Sequence, residues 1–461
     1  MTDYTREVKD AAARLNIKPE AVQTYLDAGT GTRADGVERC FHTTIKPIGS
    51  ACNLDCAYCY YLSKEELLDQ KKNQRMKDEV LERFIVEYIA AQDVEEVIFT
   101  WHGGEPTLMG LPFFQRVVEL QTKHLPLGRR ISNDLQTNGT LLDSDWCAFL
   151  ANNDFLVGLS LDGPRELHDY YRPTKGGRPT FDKVFEAARL LKEYSIPFST
   201  LTTVNRNNAR HPLEVYRFLR DVVGTHYMQF IPCVEPRQFE RLAPDYLPES
   251  QLVNAGSPRA RPGHPMSVVT DWSVDPDDWG EFLSRVFDEW RAHDQGKIKI
   301  NLFETMFAQL KGKPAMLCTS SPICGKNIAI ESDGRVYSCD HFVYPEYQIG
   351  DLGERSLAEM VFSLKQLEFG LNKHNALPSD CRTCSYLKLC WGECPRTRIL
   401  RTREGEGNLS YLCSGWKHFY AHVLPQVLHS SARDSGLLPP QSIIRKTAPP
   451  SASRSALKVQ R

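Results

Sequence analysis

Cys52, Cys56 and Cys59 crowd into one short stretch, GSACNLDCAYCYYLSK, with the spacing C-x3-C-x2-C. Three thiolates are one short of the set that a structural zinc takes and one more than a disulfide needs. Soft thiolate ligands favour iron–sulfur clusters, zinc and Cu(I). On a four-iron cluster, three cysteines leave one iron with an open coordination position. Such an iron can chelate a small molecule through an amine and a carboxylate, the two groups of an amino-acid head. A zinc knuckle is the competing reading of the same residues.

Eight more cysteines lie from Cys318 to Cys413: Cys318, Cys324, Cys339, Cys381, Cys384, Cys390, Cys394 and Cys413. Eight thiolates can fully ligate two four-iron clusters, and two structural zinc sites would use the same count. Cys40, Cys147 and Cys233 stand apart from both groups and read as small buried hydrophobes. In a reducing compartment such cysteines are ligands or catalytic groups rather than disulfides. The rest of the composition is that of an ordinary globular chain: 461 residues, 41% hydrophobic, 25% charged, net charge −2. That balance gives no electrostatic case for a nucleic-acid or membrane partner. The N-terminus lacks an apolar signal region and no long apolar run occurs, so a cytoplasmic location is expected.

The elements that must position these residues can be read from periodicity. From 41 to about 234, β-rich runs alternate with amphipathic helical stretches. The strand candidates are FHTTIKPI, EEVIFTW, RISNDLQT, FLVGLSLD, PFSTLTTV and YMQFIPCV. Helical patterns fall at 78–91, 112–124, 144–152, 180–194 and 212–222. Six such units imply parallel βαβ crossovers, and being short of eight they imply an α/β fold with a partial, open (β/α)6 barrel. Loops at the carboxyl ends of barrel strands carry the chemistry. The three-cysteine loop follows the first strand, HGGEP the second, and DGPRE the fourth.

The expected organisation has an N-terminal helical extension over 1–40 and the partial barrel over 41–275. Within the latter, the Pro-, Arg- and Ser-rich 235–275 reads as a long loop that links domains or lies over the site. Linking helices follow over 276–312, with Asp275 as N-cap and Pro276 in the first turn. A cysteine-rich domain spans 313–420. It opens with a hairpin around Ser332-Asp333-Gly334 and has little readable regular structure from 377 to 413, where metal ligation is expected to replace a conventional core. A helix and a Ser-, Pro- and Arg-rich disordered tail close the chain over 421–461.

With Tyr58 ahead of its last cysteine, the three-cysteine loop resembles the radical S-adenosylmethionine (SAM) superfamily. That resemblance implies a [4Fe–4S] cluster on Cys52, Cys56 and Cys59, with SAM on its open iron. Reductive cleavage of SAM would yield a radical that abstracts hydrogen. By the same resemblance Gly103, Gly104 and Glu105 of WHGGEPTL receive the SAM amino group, glycine letting the chain approach the ligand closely. Ser160 of SLDG meets the ribose, Arg172 of HDYYRP the carboxylate and Val234 of IPCV the adenine. For Arg172 a surface salt bridge is the competing reading. His102 and His341 read as structural or supporting groups.

The C-terminal spacing resembles the SPASM extension of radical SAM enzymes. It implies a first auxiliary cluster on Cys318, Cys324, Cys339 and Cys394 and a second on Cys381, Cys384, Cys390 and Cys413, three [4Fe–4S] clusters in all. PIGSACNLDCAYCYYLSK, QTNGTL and CGKNIAIESDGRVYSCDHFVYPEY resemble the anaerobic sulfatase-maturating enzymes more narrowly, over about 41–420. Those enzymes oxidise a Cys or Ser in a sulfatase's C/S-x-P-x-R motif to Cα-formylglycine. This implies a sulfatase polypeptide, unfolded or nascent, as substrate, and a flavodoxin or ferredoxin as electron donor. It also implies Asp340 of SCDHF as the base that takes the substrate proton. The alternative is a SPASM enzyme that forms thioether or carbon–carbon crosslinks in a ribosomal peptide.

Overall fold

A computed structural model describes residues 40–70, 72 and 74–435, with a small hairpin of Thr32–Arg33 and Gly36–Val37 ahead of them. The rest of the expected N-terminal extension and the tail over 436–461 lie outside the described residues. Six strands appear in the expected order: β1 His42–Lys46, β2 Glu96–Trp101, β3 Arg130–Thr137, β4 Leu156–Ser160, β5 Phe198–Val204 and β6 Tyr227–Pro232. Each pairs in parallel with the next. The crossover helices are α1 Asp78–Ala91, α2 Leu111–His124, α3 Ser144–Asn152, α4 Phe181–Glu193 and α5 Pro212–Arg217. The chain continues past α5 as one wide π turn, Phe218–Val223, which ends at Gly224 in the left-handed region (φ +71°).

Periodicity explains these elements. In β2 the buried residues Val97, Phe99 and Trp101 alternate with partly exposed ones. In α1 the buried residues Leu81, Phe84, Ile85, Tyr88 and Ile89 recur at helical spacing. The two faces meet through rings: Tyr88 lies 5.0 Å from Phe99 and Phe84 5.7 Å from Phe99, edge to face. Each such side chain taken fully from water stabilises the fold by about 1.5–3 kcal/mol. Asp275 caps the helix α6, Pro276–His293, by accepting from the Asp277 N–H.

The sheet extends past the six expected strands. β7, Lys299–Ile300, pairs in parallel with β6. The expected hairpin is β8, Asn327–Glu331, with β9, Arg335–Tyr337, and β10, Gln348–Asp351, follows. β8 also pairs in parallel with β1, so the cysteine-rich region continues the barrel sheet directly. The result is a ten-stranded sheet that, among the described residues, runs from β7 to β10 without closing.

One expectation changes. Ordinary apolar packing runs through 377–413: Leu377, Leu389, Ile399, Leu400, Leu409, Tyr411 and Leu412 all join the main core. Helix α7, Cys413–Ser435, packs on α6 and gives that region an apolar surface to fold against. The 235–275 segment is a largely irregular strap with short 3-10 turns, fastened at several points. Its Val253–Asn254 pairs with Leu400–Arg401, and the Phe239 carbonyl accepts from the Tyr344 hydroxyl at 2.7 Å. Among the described residues no helix is long and apolar enough to cross a membrane.

The α6–α7 contact depends on two glycines. A Cβ on Gly415 would lie 2.1 Å from the Pro276 carbonyl oxygen, and one on Gly280 would lie 2.7 Å from the Gly415 oxygen. Both obstacles are backbone and cannot rotate away. Gly415→Ala is therefore expected to destabilise the protein by about 1–3 kcal/mol, the usual cost of overpacking, read as a lowered melting temperature. An unchanged melting temperature would remove this approach as a constraint on the fold.

Candidate active site

The carboxyl ends of β1 to β6 open onto one cavity of about 300 Å³. Cys52, Cys56, Cys59, Tyr58, Gly103, Gly104, Glu105, Ser160, Arg172, Val234 and Asp340 all line it. The three-cysteine loop is held from two sides. From the barrel, the Gly104 N–H donates to the Gly49 carbonyl at 2.8 Å and the Glu105 N–H to the Ala51 carbonyl at 2.9 Å. From the other side, the Asp55 and Ala57 N–H groups donate to the carbonyls of Pro173 and Tyr171. A Cβ on Gly104 would stand 2.0 Å from the Ala51 oxygen, and Gly103 holds φ +122°. The close approach these glycines permit is therefore an approach to the cysteine loop itself.

Glu105 is a buried hub. Its carboxylate accepts from the Thr107 N–H and hydroxyl, the Thr137 hydroxyl and, at 2.7 Å, the Asn138 N–H. Burial pushes its carboxyl up against these donors, which favour the charged form. Asn138 also points its amide at the Cys52 sulfur, 3.8 Å away. Burial drives the thiols of Cys52 and Cys59 up to about 12 and 11, which favours their protons. Ligation by a metal centre would displace those protons.

Arg172 is no surface residue. It is 7% exposed, and its Nε donates to Asp162 at 3.0 Å. Asp162, fully buried at the end of β4, also accepts from the Tyr58 hydroxyl and from the Thr203 N–H. One carboxylate thus fastens the cysteine loop, the Arg172 segment and β5 together. Ser160 accepts from the Gln136 amide at 3.1 Å, and Val234 is 2% exposed against the cavity.

Asp340 enters the same cavity from the cysteine-rich region. The buried Lys46 at the end of β1 lies 2.5 Å from its Oδ1, and the Tyr60 hydroxyl donates to its Oδ2 at 2.6 Å. Burial pushes this carboxyl up, but the Lys46 ammonium holds it far below the usual carboxylate range. Lys46 also lies 3.5 Å from His102 Nδ1 and 3.7 Å from the centre of the Tyr61 ring. His102 and His341 are both lowered to about 4, chiefly by burial, and are neutral imidazoles. His341 packs edge-on against Tyr60, with its Nδ1 3.8 Å from the Cys394 sulfur.

The eight remaining cysteines gather into two groups. Burial, and then the thiols of Cys318, Cys394 and Cys324, push Cys339 well up, so these four are near neighbours. Cys381, Cys384, Cys390 and Cys413 line a second cavity with Trp416, Lys417 and Tyr420. Around the second set, soft donors that line a cavity suit a multi-iron cluster. Two buried cations lie beside them. Lys373 donates to the carbonyls of Cys318 and Thr319, and Arg398 to those of Gly392, Lys373 and Trp391. Neither has a carboxylate partner within hydrogen-bond reach among the described residues, and the surrounding thiols are the groups whose ionisation would offset them.

Lys46, Tyr60, Asp162, Glu235 and Arg396 line or support the site but did not stand out in the sequence. Lys46, in the middle of an apolar strand run, and Asp162, in SLDG, carried the only readable signals, a charge where a core residue belongs.

Comparison with known proteins agrees with this arrangement. Residues 47–219 match the radical SAM superfamily, and residues 318–385 match SPASM, an iron–sulfur cluster-binding domain. The chain is 42% identical over 384 residues to a serine-type anaerobic sulfatase-maturating enzyme of Bacteroides thetaiotaomicron, covering 83% of this chain and 89% of that one. It is 33% identical over 387 residues to a cysteine-type enzyme of Clostridium perfringens, covering 84% of this chain and 96% of the relative. The solved structure of native anSMEcpe with bound AdoMet and Cp18Cys peptide superposes with a TM-score of 0.72 at 32% identity, covering 85% of this chain and 99% of that one. With identity of this order sustained along nearly the whole length of these relatives, the chain belongs to the family of anaerobic sulfatase-maturating enzymes.

Proposed function

We propose that the chain oxidises the Cβ of a Cys or Ser in a sulfatase's C/S-x-P-x-R segment to Cα-formylglycine. One observation carries this reading: a single cavity has the three-cysteine loop on one wall and Asp340 on another. When bound, a four-iron cluster on Cys52, Cys56 and Cys59 would split SAM reductively to give the radical that removes a Cβ hydrogen atom, and the auxiliary clusters would accept the remaining electron.

The chain's own residues do the rest. Glu105, Gly103 and Gly104 hold the amino group of SAM, Arg172 its carboxylate, Ser160 its ribose, and Tyr58 and Val234 enclose it. Arg172 suits that role because Asp162 engages it through Nε, leaving the far end of the guanidinium for a ligand. Asp340 takes the S–H or O–H proton of the target. Lys46 keeps it ionised and Tyr60 keeps it oriented, so it accepts at once when the substrate's own proton becomes acidic. Cys318, Cys324, Cys339 and Cys394 hold the auxiliary cluster nearer the target, and Cys381, Cys384, Cys390 and Cys413 the farther one. Access through a cavity at the foot of a strap favours an extended, unfolded or nascent polypeptide. Reduction from outside calls for a low-potential donor such as flavodoxin or ferredoxin.

The deciding experiment is anaerobic turnover of Cys and Ser versions of the motif peptide, followed by mass spectrometry and hydrazine trapping. The Ser peptide should lose two hydrogens, the Cys peptide should also exchange sulfur for oxygen, and both products should trap as hydrazones. Deoxyadenosine formed without a trappable aldehyde would overturn the substrate assignment; a crosslinked peptide would give no hydrazone.

Two variants separate the parts. Cys56→Ala should lower iron from about 12 to about 8 per chain and abolish deoxyadenosine formation, whereas unchanged iron would refute the ligand assignment. Asp340→Asn should slow aldehyde formation by about 10²–10⁴-fold while SAM cleavage continues, which chromatography of the two products would resolve.

A further inference from the structure

We infer that Glu235 and Arg396 form a backbone-binding clamp for the polypeptide substrate, with the free carboxylate oxygen of Glu235 accepting a peptide N–H beside the target side chain. This rests on the peptide-oxidising reading above and names a binding site within it.

Glu235 is the third residue beyond β6, and Arg396 belongs to the turn Pro395–Thr397 that follows Cys394. Both line the central cavity. They form an ion pair across the two halves of the molecule through Arg396 Nη2 and Glu235 Oε1. The second oxygen, Oε2, is buried and has no hydrogen-bond partner, although Glu235 is only 2% exposed. A buried carboxylate oxygen without a donor costs free energy that folding alone does not recover. A ligand that brings a donor into the cavity would recover it.

The backbone at Glu235 is rigid. Its N–H donates to Ser273 Oγ at 3.0 Å, and its carbonyl accepts from the Thr270 N–H at 2.9 Å. The strap therefore returns to fix this one residue. Thr397, next to Arg396, is held in turn by Glu393 and by the Cys394 carbonyl. Such preorganised polar groups serve binding better than they serve stability.

Position identifies the donor. Arg396 stacks over the Tyr60 ring at 4.5 Å, and the Tyr60 hydroxyl is bonded to Asp340. The clamp and the base are thus one aromatic ring apart. A target Cβ that reaches Asp340 carries peptide groups on both sides, spaced at roughly 3.3–3.6 Å per residue, which span that distance. A peptide group supplies an N–H for Glu235 Oε2 and a carbonyl for Arg396, which makes one hydrogen bond here and has donors to spare. Of the groups proposed for SAM, Glu105, Ser160 and Arg172 belong to the β2, β4 and Arg172 segments of the barrel; Val234 adjoins Glu235 past β6, but the pairing with Arg396 turns the clamp toward the cysteine-rich region. Lys64, whose ammonium lies 3.2 Å from the centre of the Tyr344 ring, adds positive charge nearby without bonding to the pair.

The test measures peptide affinity by fluorescence anisotropy on the cluster-loaded enzyme with SAM. The peptides are the motif peptide and two versions N-methylated in turn at the target residue and at the residue after it. N-methylation at one of these amides should weaken binding to the parent enzyme by roughly tenfold or more, the worth of one hydrogen bond to a charged acceptor. Glu235→Ala should weaken binding of the unmodified peptide by a similar factor and be insensitive to that same N-methylation. Glu235→Gln, which keeps an oxygen acceptor, should lose less. If Glu235→Ala does not fold, Glu235→Ala with Arg396→Met removes both charges and should show the same insensitivity.

Additive losses at both amides, unchanged peptide affinity in the variants, or a loss confined to SAM affinity would overturn the clamp while leaving the oxidation chemistry intact. Failure of the parent enzyme to bind or oxidise the unmodified peptide would overturn both.

Discussion

The ion pair between Lys46 and Asp340 is the contact on which the rest of the site depends. Lys46 is fully buried at the carboxyl end of β1, and taking an ammonium out of water costs several kcal/mol unless an anion meets it. Its anion comes from the far end of the chain, 2.5 Å away. The barrel cannot satisfy this charge alone, so the cysteine-rich region must dock, and docking carries Asp340 into the cavity. The register of that docking is set by the parallel pairing of β1 with β8, from His42 opposite Asn327 to Lys46 opposite Glu331. Glu331, at the end of the ladder, accepts from the Tyr61 hydroxyl, while the ring of Tyr61 faces Lys46. A slip of one residue would turn every side chain of β8 to the opposite face and part the pair.

Other buried charges work in the same way at smaller scale. Asp162 gathers the cysteine loop, Arg172 and β5, and Glu105 gathers the ends of β2 and β3. Each carboxylate sits where strand ends would otherwise splay, and each is satisfied by donors from separate segments. Lys373 and Arg398 differ, because their acceptors are carbonyls and their neighbouring anions, among the described residues, are potential thiolates and Glu393. A region built around metal-bound thiolates has positive charge ready for them. The strap over 235–275 belongs to the same economy of contacts. It departs past β6 at Glu235, pairs with Leu400–Arg401 between Cys394 and Cys413, and comes back to lock Glu235 through Ser273 and Thr270.

Local pattern made much of this legible in advance. The spacing of Cys52, Cys56 and Cys59 is readable because one centre takes all three from a single turn of chain. The alternation in β2 and the helical spacing in α1 are readable because burial repeats with the period of the backbone. The turn at Ser332-Asp333-Gly334 is readable because Gly334 takes a left-handed conformation, φ +95°, that other residues avoid. The packing of 377–413 is not legible there for the complementary reason. Its apolar residues have no regular period, and their partners on α6 and α7 come from elsewhere in the chain.

The amino-acid sequence by itself determined the strand–helix alternation, the three-thiolate loop at the end of β1, and the family to which these motifs point. All of these depend on residues that are neighbours along the chain. The tertiary structure alone decided that β8 continues the sheet beside β1, that Lys46 meets Asp340, that Arg172 is buried against Asp162, and that Glu235 pairs with Arg396, 161 residues away. The partners in such contacts leave no local trace, because a buried charge is stable only beside a partner that the fold, and not the nearby sequence, brings to it.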